Sequence, residues 1–101
     1  MANTPPIACS LPTHELPARL AEIGAVGRAA LRAKQLNGAR AILRFERHPG
    51  IHERLAAIVA AEARCCAFLT MTLTETPAEI TLTIAAPTGA EHVLQGLLAA
   101  F

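Results

Sequence analysis

Between residues 69 and 84 the chain alternates with a period of two. Leu69, Met71 and Leu73 take turns with Thr70, Thr72 and Thr74. After Glu75-Thr76-Pro77-Ala78, Ile80, Leu82 and Ile84 take turns with Thr81 and Thr83. Successive side chains of a strand point to opposite faces, so this pattern predicts a hairpin with one apolar and one threonine face. The apolar face must be covered. A chain of 101 residues has the size of one domain, which buries roughly 60–70% of the surface its unfolded form exposes. With 52% hydrophobic residues and only Phe45, Phe68 and Phe101 as aromatics, that core rests on Leu, Ile, Val and Ala. The threonine face is either solvated or the surface of a homodimer.

Arg40 to Glu46 also alternates, with Ala41, Leu43 and Phe45 opposite Arg40, Arg44 and Glu46, as in a half-buried strand; Ile42 breaks the pattern. Helical spacing governs the rest. Thr13 is placed to cap a helix from about residue 14 to about residue 35, with Leu16, Leu20, Ile23, Val26 and Leu31 on one side and Glu15–Arg19 as an i,i+4 pair. Asn37-Gly38 offers that helix a left-handed exit. Gly24 and Gly27 within it each cost about 1 kcal/mol relative to alanine, which predicts close approach of another element. His48-Pro49-Gly50 reads as a turn whose proline suits the start of a second helix, running from about residue 51 to Cys66. Thr88-Gly89-Ala90-Glu91 matches a capping box, introducing a last helix with Val93, Leu94, Leu97 and Leu98.

Helix, strand, helix, strand, strand, helix is the order expected of a two-layer α+β fold. Its mainly antiparallel, three-stranded sheet is a split βαβ, ferredoxin-like without the last strand, with an added N-terminal helix. Residues 1–12 form a segment carrying Cys9, and 13–101 a single α+β domain. Ile7 to Ser10 would fit a short edge strand that brings Cys9 toward the sheet.

One cluster exceeds what folding requires. On the second helix Ile51, Leu55, Ile58, Val59, Cys65 and Cys66 fall within one arc, and Glu62 lies near its middle. A carboxylate on an apolar stripe is costly unless neutral, hydrogen-bonded or coordinated. It can snorkel, accept bonds from backbone, or pair with an arginine such as Arg28 or Arg32. Taken singly, either cysteine packs as a small hydrophobe. Together they offer two thiolates to Hg(II), Cu(I), As(III) or Zn(II), and Cys9 would complete a trigonal site with His14 as a fourth ligand. The helix carboxyl end opposes negative charge, so activating the thiols needs a cation: Arg64, Arg19, Arg28, His14 or a bound metal. With Glu62 as acid-base partner, Cys65 and Cys66 could instead carry thiol-dependent catalysis, such as protonolysis of an organomercurial. His48 and His52 have i,i+4 spacing, but Pro49-Gly50 separates them, which favours turn and surface roles; His92 reads as a surface residue.

Composition narrows the classes. A formal net charge of +1 without any Lys/Arg run gives no basis for nucleic-acid binding. Met1 to Pro6 lacks the features of an export signal, and no segment approaches the roughly 20 apolar residues of a membrane span. A soluble cytoplasmic protein with reduced cysteines is expected. Zinc-finger spacing, phosphate loops, nucleotide fingerprints and serine-hydrolase elbows are absent from the sequence.

Cys9-Ser10-Leu11, Leu43-Arg44-Phe45, Glu62-x-x-Cys65-Cys66-x-Phe68 and Ala86-Pro87 together resemble a family of small, poorly characterised bacterial proteins that stand alone or are attached to MerR-type metal-responsive regulators. The resemblance spans most of the chain. It implies that Cys9, Glu62, Cys65 and Cys66 form one site in a soft-metal resistance or sensing context. The chain has no helix-turn-helix region of its own, so regulation would require a MerR-type partner.

Overall fold

The structure, a computed structural model, describes residues 16–65 and 68–101. The elements are α1 (Leu16–Ala30), β1 (Leu31–Asn37), β2 (Arg40–Glu46), α2 (Ile51–Cys65), β3 (Thr70–Glu75), β4 (Glu79–Ala85) and α3 (Glu91–Ala100). All strand pairs are antiparallel, in the order β1-β2-β4-β3. Strands β2 and β3 are therefore parallel to each other, joined through α2 with β4 inserted between them, which is the expected split βαβ. The α+β class holds.

The sheet has four strands rather than three, and the extra one comes from the expected first helix. That helix stops at Ala30, and Leu31–Asn37 turns back as β1 on the outer edge of β2. Asn37-Gly38 is thus a hairpin turn rather than a helix exit. Asn37 pairs with Arg40, leaving Gly38-Ala39 as a two-residue loop with Gly38 at φ +66°. A glycine with positive φ at the first central position matches the backbone twist of paired strands. β1 takes the edge place that a ferredoxin-like fold gives its last strand. The edge strand expected from Ile7 to Ser10 lies outside the described residues, as do the Thr13 cap and the Glu15–Arg19 pair.

Apolar alternation selects the covered face. Ala41, Leu43 and Phe45 of β2 and Ile80, Leu82 and Ile84 of β4 are fully buried, together with Ile23 and Val26 of α1, Leu55 of α2 and Leu94 of α3. Phe45 meets Phe101 edge-on, with centroids 5.6 Å apart, a geometry that suits the ring quadrupoles. Leu20, expected inside, is 44% exposed. The two α1 glycines do mark a close approach. A Cβ at Gly27 would collide with the Phe101 backbone carbonyl, and one at Gly24 would sit 3.4 Å from the Ala100 carbonyl oxygen.

Local turns largely follow their residues. Gly50 adopts φ +85° and α2 begins at Ile51, so Pro49 precedes the helix instead of starting it. The Thr76 hydroxyl accepts hydrogen bonds from the amides of Ala78 and Glu79 and closes the β3–β4 turn. The capping box is not formed. Ala90 is the cap residue of α3, without a side-chain bond, and the Glu91 carboxylate accepts from the Gly89 amide at 3.0 Å. Gly89, at φ +95°, turns the chain so that Thr88 falls outside the cap position.

Candidate functional site

Glu62 lies where the helical arc placed it, in the last turn of α2. Ile51, Leu55 and Ile58 are buried on the same stripe, and Glu62 itself is only 5% exposed. Its compensation comes from α1. The Arg19 guanidinium donates from Nη1 to Glu62 Oε2 at 2.9 Å, with the two side chains 16% and 6% exposed. Arg28 and Arg32, the partners expected from the sequence, do not fill that role. Arg28 is exposed near the opposite end of α1, beside Gly24, and Arg32 belongs to β1, at the irregularity between Leu31 and Ala33. The signal for Arg19 was its spacing. It stands four residues before Ile23 and seven before Val26, on the buried stripe of α1.

A second pair fastens the same two helices and was not foreseen. Arg54 donates from Nε and Nη2 to the two carboxylate oxygens of Glu22, at 2.8 and 2.9 Å. This bidentate bond holds the Glu22 carboxyl below its usual range and raises Arg54, with burial opposing each shift. Between α1 and α2 runs an open groove of about 450 Å³, lined by Ala18, Arg19, Glu22, Arg54, Ala57, Ile58 and Ala61. The small alanines of α2 leave the space, and the crossed ion pairs fix its width.

Cys65 is the last residue of α2, one helical turn beyond Glu62. Cys66, Cys9 and His14 lie outside the described residues. The chain on both sides of Cys66-Ala67 is anchored: Glu62 by its ion pair, and beyond it Leu69, 7% exposed, within the core, with Phe68 packed against that core. The structure therefore brings Glu62 and Arg19 together at the helix end that carries position 65.

The remaining candidates stay apart. His48 is bonded to Glu46 at 2.8 Å, and His52 lies 3.8 Å from Glu75, which also takes Arg47 at 2.7 Å. The two histidines thus serve separate carboxylates at the surface, and His92 is exposed on α3. Arg64 is exposed as well. Among the described residues, three His, Cys, Asp or Glu side chains nowhere come close enough to hold a metal ion. No helix among them is long and apolar enough to cross a membrane. In comparisons with protein-family models, curated proteins and solved structures, none matches this chain.

Proposed function

We propose that this protein binds a thiophilic metal or metalloid ion, Hg(II), Cu(I), As(III) or Zn(II), through Cys9, Cys65 and Cys66, with His14 as a further donor. The reading belongs to the cytoplasmic soft-metal resistance or sensing context implied by the family resemblance. The observation that carries it is the buried Glu62–Arg19 pair, fixed one helical turn ahead of Cys65. The pair holds a guanidinium and a carboxylate at the helix end that carries Cys65; a guanidinium turned toward the cysteines would favour the thiolate over the thiol, and thiolates are the soft-metal ligands. Glu62 is already compensated by Arg19, so its role is to hold that guanidinium rather than to ligate.

Titration of mercuric, cuprous, arsenite and zinc ions into the purified reduced protein tests the proposal. Tight binding of at least one ion, weakened strongly by Cys65→Ser or Cys66→Ser, is expected. Equal affinity in a variant with all three cysteines replaced by serine would end it.

A second reading makes Cys65 or Cys66 a nucleophile and Glu62 its acid-base partner, as in protonolysis of an organomercurial. It is favoured by a carboxylate that is buried rather than solvated one helical turn before Cys65. Turnover that disappears in Glu62→Gln while ion affinity persists would select this reading over simple binding.

A further inference from the structure

All three helices pack on the sheet face that carries Ala41, Leu43, Phe45, Ile80, Leu82 and Ile84, and no element among the described residues covers the other side of the four strands. The ladder registers arrange that side in rows. Asn37, Arg40, Ala85 and Thr70 lie side by side; next come Gln35, Ile42, Thr83 and Thr72; then Ala33, Arg44, Thr81 and Thr74. Glu46 and Glu79 form the far end of the two central strands. Apart from Gln35 and Arg44 the two middle rows are Ala, Ile and Thr, with Ile42 and Thr83 half-buried at the centre. The charges of this face are Arg40 in the first row, Arg44 in the third, 3.7 Å from Glu79, and Glu46 and Glu79 at the far end. Arg40 has no acidic partner among the described residues, whereas the opposite end holds two carboxylates within reach of only His48 and, at 3.7 Å, Arg44.

We propose that this open face is a homodimer interface in which two sheets pack face to face about a two-fold axis running across the strands. Such an axis reverses the strand direction while keeping each strand over its own copy, so β2 crosses β2 at Leu43. Arg40 of one copy then lies over Glu46 of the other, and symmetry makes the contact twice. An axis along the strands would set Arg40 over an uncharged row and leave the carboxylates facing carboxylates. The charge pattern therefore selects one of the two arrangements. Short side chains let the sheets approach to the roughly 10 Å of aligned sheet packing.

Four strands about 4.8 Å apart and six or seven residues long present a face of about 20 by 20 Å. That is about 400 Å² per copy and about 800 Å² in total, below the roughly 1,000 Å² of stable interfaces, so a weak, reversible dimer with a Kd on the order of 100 μM is expected.

Sedimentation velocity of the full reduced chain across a concentration range spanning that Kd is the test. Thr83→Lys, at the centre of the face, should leave the protein monomeric at the highest concentration with its circular dichroism unchanged. Arg40→Glu and Glu46→Arg, both at exposed positions, should each weaken the dimer about tenfold or more. Combined in one chain, they should restore it to within about threefold of the parent. A protein monomeric throughout the range would overturn the proposal. So would a dimer indifferent to Thr83→Lys, or one in which the double exchange fails to restore what the single exchanges remove.

Discussion

Glu62 and Arg19 occupy positions that the helical stripes of α2 and α1 would otherwise give to apolar side chains, and their ion pair offsets part of the cost of burying each. Removing one member of a buried pair leaves an uncompensated charge, typically costing about 3–5 kcal/mol, whereas replacing both with apolar residues of similar volume is often neutral. Glu62→Leu should therefore destabilise the domain by about 3 kcal/mol or more in urea denaturation. Arg19→Met combined with Glu62→Leu should recover most of that loss. Additive losses in the double variant would show that the two residues act independently. Glycines give a second contrast at this scale. Gly27→Ala drives a methyl into the Phe101 carbonyl and should cost about 1–3 kcal/mol. Gly96, inside α3 with nothing within 4 Å of an added Cβ, should gain about 0.5–1 kcal/mol on the same substitution. The sequence announced that α1 needed glycine at 24 and 27, but not that Phe101 was the reason, because a close approach reports a neighbour without naming it.

At the scale of elements, the hairpin β3–β4, the strand β2 and the stripe of α2 were legible because each buries one face, so burial writes its period into the residues. β1 was not. Every position from Arg32 to Asn37 is exposed and only Leu31 is half-buried, so nothing in its pattern distinguishes strand from helix. Its Asn37-Gly38 serves a hairpin and a helix exit equally well, and pairing with β2 decides the matter. The Glu22–Arg54 link between α1 and α2 was equally hidden, since an ion pair between half-exposed positions leaves no periodic trace. Glu22 and Arg54 supply a test of that link. The folded-state pKa of Glu22 is depressed, so its contribution to stability is fully present above the ordinary carboxylate value near 4.5 and is lost as pH falls through the folded value beneath it. Glu22→Gln should accordingly lower stability at neutral pH, and the gap from the parent should close on acidification below that value. Thermal melts from pH 7 to pH 3 would show it. Because both side chains are largely exposed, at 39% and 43%, the effect should be small and reduced by salt.

For the whole molecule, the candidate thiols pose a question of folding as much as of coordination. Cys65 and Cys66 are neighbours in any conformation, so an ion held by these two alone binds the unfolded chain nearly as well as the native one and adds little stability. Cys9 is remote in sequence, and only the folded chain has the means to bring it to them. A ligand stabilises a fold by its differential affinity for the native state, about 2.7 kcal/mol at a free concentration one hundred times Kd when the unfolded chain does not bind. For a domain of this length each kcal/mol moves the melting temperature by about 4–8 °C. If Cys9, Cys65 and Cys66 share one ion, a saturating soft ion should raise the melting temperature of the reduced protein by roughly 10–20 °C. Cys9→Ser should bind the ion more weakly and lose nearly all of that rise, because its remaining pair is formed equally in both states. Differential scanning calorimetry with and without the ion distinguishes the cases. A rise that survives Cys9→Ser undiminished would restrict the site to the end of α2, leaving Arg19 and Glu62, the neighbours the fold supplies there, as the only source of preference for the native chain.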